Sequence, residues 1–258
     1  MKRVLAVVLF ASVCCAQPTG PVPKLLNIVY HKIQPDRTSA YAFLEAAIVR
    51  GYSQANIPVH WMALPALAGQ PEVLYLNLFE SFAELEKAGA AVRQGMAAHP
   101  DLAPMQDRLA GMVRDMTTVL TVRRDDMGYR VSSIDFAKMR VLRVTTFSVR
   151  PGHEGEFVEA AKSIAAAHEK VRADAAWAVY QVNAGRVAPA FVLLTPMRSL
   201  EDADRALART PAIEDVAGPA CQSWESQLYV VSREMSHVRK EFFIADPEFW
   251  LPKSAPER

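Results

Sequence analysis

The chain has 258 residues, of which 51% are hydrophobic and 22% are charged, with a formal net charge of +1. This composition is typical of a globular protein with a sizeable core, and the length allows one large domain or two of ordinary size. The near-neutral charge, with no cluster of basic residues, excludes the electrostatic footprint of a nucleic-acid-binding protein.

Residues 1–16 predict a secretory signal peptide. Lys2 and Arg3 precede the apolar run Val4–Val13, and small residues follow up to Ala16. This three-part order is that of a signal peptide, and the run is shorter than the roughly 20 residues that span a bilayer. We therefore expect cleavage after Ala16, export to the periplasm or the medium, and no membrane span in the mature chain.

The cysteines agree with export but leave an alternative open. Cys14 and Cys15 fall in the leader, so the mature chain keeps Cys221, which has no partner for an internal disulfide. The alternative is a lipoprotein in which Cys14 or Cys15 carries the lipid. Cys221 itself is expected to be a buried small hydrophobic residue.

The mature chain contains an internal repeat. At one constant offset, three pairs of landmarks coincide: Pro35 with Pro151, Tyr41 with Phe157, and Trp61 with Trp177. After a short slip in the next loop, Ser81 coincides with Ser199. Identity is weak, but order and residue character persist, which predicts two copies of one structural unit.

The first unit, residues 25–130, is predicted to run β-α-β-β-α-β, the ferredoxin-like order. Hydrophobic periodicity and turn residues give its elements. They are a strand at Leu25–Ile33, a helix at Thr38–Gln54, hairpin strands at Val59–Leu64 and Val73–Leu78, a helix capped by Ser81, and a last strand at Thr117–Arg124. Pro100 and Pro104 are expected to break the second helix and start a short additional one.

The second unit, residues 139–235, repeats the same order. Its elements are strands at Met139–Val149, Trp177–Val182, Ala190–Thr195 and Ser223–Ser232, a helix at His153–Val171, and a helix capped by Ser199. The tail, residues 236–258, is rich in aromatic residues, which predicts that it docks on the body. The fold class is therefore α+β.

A local motif carries a resemblance to a known family. The segment "VRPGHEGEF" follows a strand, and its matching residues are Val149, Pro151, Gly152, Glu154, Glu156 and Phe157. It is similar to the opening of the antibiotic-biosynthesis-monooxygenase and NIPSNAP-like families of the dimeric α+β barrel superfamily. In the first unit Pro35 and Tyr41 match, whereas Asp36 and Arg37 replace the Gly-His pair.

The resemblance implies a barrel in which the sheets of two ferredoxin-like units pack against each other, here within one chain. Members of the superfamily include cofactor-free monooxygenases, haem-dependent enzymes and isomerases. The shared motif is a turn and a helix start, so it implies the fold and assigns no catalytic residue.

Strand alternation predicts two faces for each sheet. We expect an aliphatic set, with Leu26, Ile28, Leu142 and Val144, to lie under the helices, and a mixed set to line the barrel interior. The mixed set gives the candidate ligand-binding residues: His31, Trp61, Tyr75, Arg143, Trp177, Gln181, Glu225 and Tyr229. The same set also suits an ordinary sheet–sheet interface, and Arg143 with Glu225 suits an ion pair or an anchor for an anionic group.

Motifs for cofactor chemistry are missing from the sequence. No His or Cys spacing of a metal site occurs, and neither a serine-nucleophile motif nor a phosphate-binding glycine loop is present. We therefore predict no metal and no cofactor, with haem as the alternative and His168 as its conceivable ligand. His31 is the candidate general base, with a hydrogen-bonded core histidine as the plainer interpretation.

Three functions follow as hypotheses. The first is an exported barrel protein of unknown activity that binds a small apolar or aromatic ligand between its two sheets. The second is a cofactor-independent monooxygenase-like enzyme that uses the same cavity. The third is a structural or interaction module, and a homo-oligomer is compatible with all three.

Overall fold

The computed structural model describes residues 22–207 and 212–251, so the predicted signal peptide with Cys14 and Cys15 lies outside the described residues. The first half of the chain forms β1 (Leu25–Ile33), α1 (Thr38–Gln54), β2 (Trp61–Pro65), β3 (Glu72–Phe79), α2 (Phe82–Ala98), α3 (Ala103–Ala110) and β4 (Val113–Tyr129). Ser81 caps α2 by accepting a hydrogen bond from the Glu84 amide, as predicted, and a short turn at Pro100–Leu102 separates α2 from α3.

Two short 3₁₀ turns, Val131–Ser133 and Phe136–Lys138, lead into the second half. This half forms β5 (Val141–Val149), α4 (Glu154–Lys170), β6 (Trp177–Ala184), β7 (Ala190–Met197), α5 (Leu200–Leu207), α6 (Ile213–Ala217) and β8 (Cys221–Val230). Three elements follow that complete the described chain: β9 (Ser232–His237), α7 (Lys240–Ala245) and α8 (Pro247–Trp250).

The nine strands of the described residues belong to one antiparallel sheet, in the order β8-β5-β7-β6-β4-β1-β3-β2-β9. Pairing between β4 and β6 joins the halves. The sheet curls until its distant parts meet again, where Ala66 forms a bridge with Tyr229 and the Leu67 amide donates to the Leu228 carbonyl at 2.8 Å. The result is a curled antiparallel sheet that nearly closes on itself, with helices outside.

The pairing registers of the two halves correspond. Asn27 lies opposite Asn77 in the β1–β3 pair, and Arg143 lies opposite Thr195 in the β5–β7 pair. His31 lies opposite Val73, and Phe147 lies opposite Phe191. The positions that the sequence alignment matches therefore occupy the same places in the two strand pairs.

The predicted orientation of the two faces was wrong. The aliphatic set lies inside the curl, where Leu26 and Ile28 of the first half share one buried cluster with Leu142 and Val144 of the second. The mixed face of each half lies under its helices, with Tyr75 in the cluster of α1 and Trp177 in that of α4. Only the inside can merge apolar residues from both halves into one large core, so the most uniformly aliphatic face lies there.

Thr121 of β4 and Tyr229 of β8 lie on the same face as the aliphatic set, inside the curl. Leu26 lies opposite Thr121, and Leu142 lies opposite Tyr229, so Thr121 and Tyr229 face the interior. Directly paired residues project from the same face of a sheet, which places Leu120 and Leu228 on the helix side. Thr121 is fully buried because its hydroxyl donates to the Leu26 carbonyl at 3.4 Å, which a pattern based on hydrophobicity alone cannot anticipate.

The segment after β8 forms a further strand and two short helices. Strand β9 pairs with β2, and α7 and α8 cover one end of the curled sheet. Phe242 and Trp250 are buried there, and the Trp250 indole Nε1 donates to the Ala137 carbonyl at 2.8 Å. Within the part of the chain that the structure describes, no helix combines the length and apolarity needed to cross a membrane.

Candidate functional site

A cavity of about 760 Å³ lies between the outer face of β1 and β3 and the helices α1, α2 and α3. Every residue of α2 is at least partly exposed, so this helix stands off from the sheet. Its apolar residues Leu85, Ala88 and Val92 form one wall of the cavity. An amphipathic helix that leaves open space beneath its apolar face is the usual construction of a small-molecule pocket.

Three side chains form a hydrogen-bonded chain at the floor of this cavity. The Tyr41 hydroxyl lies 2.7 Å from Nδ1 of His31 and 2.5 Å from the Tyr75 hydroxyl. The ring centroids of His31 and Tyr75 lie 5.0 Å apart. Both tyrosines are buried and His31 lines the cavity, so Nε2 is the imidazole nitrogen left for a ligand.

Glu45 adds a carboxyl group to the same cluster. It lies one helical turn after Tyr41 on α1 and is only 4% exposed. Burial raises the pKa of Glu45 to about 7, and the nearby Tyr75 hydroxyl offsets this rise in part. Burial lowers the pKa of His31, so its neutral form is favoured. The cluster therefore holds a carboxyl group that changes its charge near neutral pH beside a neutral imidazole.

Two asparagines and a tryptophan also line the cavity. The Asn77 side-chain amide donates to the Asn27 carbonyl at 3.0 Å, and Oδ1 of Asn27 is buried without a hydrogen-bond partner in the described structure. The Trp61 indole donates to the Met235 carbonyl at 2.8 Å and presents its ring to the cavity. An unsatisfied buried acceptor beside an aromatic wall is a position at which a ligand donor would gain a hydrogen bond.

The second half shows that the fold does not require the polar cluster. The positions equivalent to its four members are all apolar and belong to one buried cluster: Phe147, Phe157, Ala161 and Leu193. Phe157 packs between Phe147 and Phe191, at ring-centroid distances of 5.1 and 4.6 Å. The same four positions therefore hold apolar side chains in one half and a hydrogen-bonded polar network in the other.

The structure separates the predicted candidates into groups. His31, Trp61 and Tyr75 come together at the first-half cavity, whereas Arg143 and Trp177 line a second cavity under α4 and α5. The shared lining of each group therefore lies on the helix side of the curled sheet and not in the space inside the curl. That space holds the aliphatic core and, at one end, a cavity of about 270 Å³ to which Trp61 is the only predicted candidate that contributes within the described residues.

The remaining candidates lie elsewhere. Gln181 is exposed and accepts a hydrogen bond from Arg124 at 2.9 Å. Tyr229 lies between the sheets and donates to Glu72 at 2.5 Å. Glu225 is exposed opposite Thr146, on the other face from Arg143, so the suggested Arg143–Glu225 ion pair does not form between these two described residues.

Tyr41 and Glu45 were missed as site residues. A signal was available, because Tyr41 coincides with Phe157 in the repeat and Glu45 coincides with Ala161. A carboxylate at a position where the other copy of a helix has a buried alanine indicates a special environment. Tyr41 was treated as an aromatic equivalent of Phe157, which ignored its hydroxyl group.

His168 and His31 differ in how well they suit a haem ligand. His168 packs edge-on against Trp177 at a centroid distance of 4.9 Å and against Tyr129 at 5.7 Å, which is the packing of a core side chain. His31 fits better, because its neutral ring has Nδ1 held by Tyr41 and Nε2 left for iron. No group of three or more metal-ligating side chains gathers within residues 22–207 and 212–251.

No family model matches this sequence, and no curated protein matches it either. Solved structures do. An anthrone oxidase-like protein is 12% identical, with 86% of this chain and 97% of that chain covered at a TM-score of 0.55. An inferred monooxygenase from Fusobacterium nucleatum subsp. nucleatum is 11% identical, with 82% and 93% covered at a TM-score of 0.54.

A third similar structure is a mutant chlorite dismutase from Candidatus Nitrospira defluvii in complex with cyanide. It is 10% identical and covers 86% of this chain and 95% of its own, at a TM-score of 0.52. At such identities the likeness extends to the fold and not to the chemistry. The chain therefore shares the fold of these proteins, a mixed α/β fold built on one curled antiparallel sheet.

Proposed function

We propose that the chain binds a small, largely apolar or aromatic molecule in the first-half cavity, with a polar group of the ligand bonded to His31. The observation that carries this proposal is the contrast between the halves. The first half has the polar side chains of His31, Tyr41, Glu45 and Tyr75 beside its cavity, whereas the second half has apolar side chains at all four equivalent positions. A buried polar network lowers stability unless all its hydrogen-bonding groups have partners. Because the fold does not need this network, we attribute its presence to the binding of a ligand.

The network gives the site a defined chemistry. A ligand hydroxyl that bonds to Nε2 of His31 is connected through Tyr41 and Tyr75 to the Glu45 carboxyl. Its hydrocarbon part would lie against Trp61 and the apolar face of α2. Phenols and hydroxylated polycyclic aromatics meet both requirements, because they combine a flat apolar body with one acidic hydroxyl.

A thermal-shift screen of phenols, anthrones, quinones and haem against the mature protein tests the proposal. A ligand at about 100 times its Kd stabilises the fold by about 2.7 kcal/mol, which raises Tm by roughly 5–10 °C for a chain of this size. His31→Phe introduces the residue that the second half has at the equivalent position, and it should abolish the shift. Tyr129→Phe, at the end of β4 and in the buried cluster of α4, should retain it. Equal shifts in the wild type and His31→Phe would refute the site.

A monooxygenase-like activity is the catalytic alternative, supported by the anthrone oxidase-like and inferred monooxygenase structures. In such a reaction an activated CH₂ group and O₂ give a carbonyl and water, so that the substrate supplies all the electrons. His31 would remove the first proton from carbon and the network would carry it to Glu45. O₂ consumption with an anthrone, one mole per mole of product, tests this, and an inactive protein that still binds the anthrone would leave binding as the function.

Haem is the alternative occupant of the same cavity. His31 would hold the iron through Nε2, and the bound group would supply redox chemistry. Titration with haemin distinguishes this case, because an imidazole-ligated haem has a sharp Soret band that His31→Phe would lose. A broad band that is the same in both proteins would show nonspecific association.

We further propose that the two halves are ferredoxin-like units in tandem and that the chain is exported after loss of residues 1–16. The matching strand registers support the first point, and the basic, apolar and small segments of the leader support the second. Intact-mass measurement of the expressed protein tests export. The mass should correspond to a chain that begins at Gln17, whereas a diacylglyceryl-modified Cys15 would indicate the lipoprotein.

A further inference from the structure

A second cavity, of about 540 Å³, lies under the helices of the other half, between α4, α5 and the outer face of β5–β7. Three of its lining residues form a row across adjacent strands. Arg143 on β5 lies opposite Thr195 on β7, and Trp177 follows on β6. With strands about 4.8 Å apart, the backbone positions of Arg143 and Trp177 are separated by two strand spacings, or roughly 10 Å.

Arg143 is the unusual member of this row. It is partly buried, and among the described residues no carboxylate lies within ion-pairing distance of its guanidinium. A partly buried cation without a counter-ion is costly, and arginine offers a planar pair of donors that matches a carboxylate. The position therefore suits an anion that is supplied from outside the chain.

The acidic groups around the cavity are already engaged. Glu214 accepts from the Thr145 hydroxyl at 3.1 Å, and Asp202 pairs with Arg205 and accepts from the Arg198 amide at 2.8 Å. Asp135 caps the Ala137 amide at 3.0 Å. Asp174 interacts electrostatically with Arg205. These partners hold the carboxylates, whereas Arg143 lines the cavity without an ion pair to any described carboxylate.

From this arrangement we infer a second binding site, specific for a small aromatic carboxylate. Its carboxylate would bond to the Arg143 guanidinium and the Thr195 hydroxyl. Its ring would lie against Trp177, with Ile164 and Leu193 completing the apolar wall. This site is independent of the first-half cavity and of the proposal made for it.

The equivalent row in the first half supports a difference in specificity. Asn27 and Asn77 occupy the positions of Arg143 and Thr195, and Trp61 occupies that of Trp177. Two neutral amides beside an indole favour an uncharged polar ligand, whereas an arginine and a threonine favour an anion. The two halves therefore have cavities at equivalent positions, of which one favours an uncharged polar ligand and the other favours an anion.

Isothermal titration of the mature protein with 2-naphthoate and with its uncharged analogue 2-naphthamide tests the inference. We expect the carboxylate to bind at least tenfold more tightly, since hydrogen bonds to a charged group carry the difference. Arg143→Gln should remove this preference. Arg198→Gln, an exposed arginine at the mouth of the same cavity, should keep it within twofold.

Equal affinities for the acid and the amide would overturn the inference, as would an unchanged preference in Arg143→Gln or no binding of naphthoate up to about 1 mM. If Arg143→Gln does not fold, the wild-type protein provides a second measurement. Naphthoate should shift the indole N–H resonance that is missing in Trp177→Phe, and a shift confined to the Trp61 indole would place the ligand in the other cavity and refute the site.

Discussion

The hydroxyl oxygens of Tyr41 and Tyr75 lie 2.5 Å apart, and the Tyr41 hydroxyl is also 2.7 Å from Nδ1 of His31. Each hydroxyl has one proton, so all donors along the chain point in one direction. When Glu45 is protonated, it donates toward Tyr75, Tyr41 donates to Nδ1, and His31 carries its proton on Nε2. When Glu45 ionises, the direction reverses and Nε2 becomes an acceptor.

The first prediction is that the tautomer of His31 follows the ionisation of Glu45. Between pH 6 and pH 8 the imidazole proton should move from Nε2 to Nδ1, because burial raises the pKa of Glu45 to about 7. Imidazole ¹⁵N chemical shifts report the tautomer directly. Glu45→Gln and Tyr41→Phe should each abolish the change, and a tautomer that still switches in both variants would disprove the coupling.

The second prediction concerns stability and pH. The folded-state pKa of Glu45 is raised, so its contribution to the free energy of unfolding is present at low pH and is lost as pH rises through about 7. From pH 5 to pH 8 the wild type should lose up to roughly 3 kcal/mol relative to Glu45→Gln. Urea denaturation at both pH values measures this. Glu169→Gln, at an exposed site, serves as the control, and parallel pH profiles for the wild type and Glu45→Gln would contradict the prediction.

The third prediction concerns a tyrosine introduced into the second half at the position equivalent to Tyr41. Phe157→Tyr puts a hydroxyl at the position of Tyr41, but into an apolar cluster that offers it no partner. We expect a loss of about 1–3 kcal/mol in the free energy of unfolding. Phe43→Tyr, on the exposed side of α1, should change it by less than about 0.5 kcal/mol. Full tolerance of Phe157→Tyr would mean that the second half also accommodates the network.

The fourth prediction tests the pairing that joins the halves. Gly185 has φ = +93°, and a Cβ there would overlap the Thr118 carbonyl of β4. Gly185→Ala should cost more than about 2 kcal/mol, because both the backbone conformation and the close approach oppose a side chain. Gly155→Ala, in α4 with open space around it, should instead gain about 0.5–1 kcal/mol. A neutral Gly185→Ala would argue against this β4–β6 contact.

The fifth prediction distinguishes a structural tail from a partner-binding one. Trp250 is 2% exposed and bonded to Ala137, so Trp250→Ala should cost about 3–5 kcal/mol. Ile244→Ala in the same tail should change little, since Ile244 is 76% exposed. Should Trp250→Ala leave Tm unaltered, the interaction-module hypothesis would regain its support.

The sequence predicted the elements well because their signals are local. Helix α1 has the predicted bounds, and the repeat located the matching strands of the second half. The orientation of the sheet could not be read in the same way. Both faces of β1 are largely apolar, so which one is inside depends on what the other half presents to it. Thr121 and Tyr229 are buried through partners that are distant in sequence.

The site was predicted in part. His31, Trp61 and Tyr75 were identified and do lie together, although on the opposite side of the sheet from the one expected. Glu45 was missed because an acidic residue in a helix ordinarily faces water. Only the position of α2, which stands away from the sheet, creates the enclosed space that raises its pKa.

The two halves of the curled sheet meet along two seams, β4 with β6 and β2 with β8, and these seams differ in their number of hydrogen bonds. A ladder of paired residues connects β4 to β6. The opposite seam has one backbone bridge, Ala66–Tyr229, together with the Leu67 amide bond and side-chain hydrogen bonds from Gln227 and Tyr229. Thermal opening of the molecule should therefore begin at the weaker seam, with the β4–β6 ladder acting as the hinge. The amide of Leu67 should therefore exchange its hydrogen before the amides of the β4–β6 ladder.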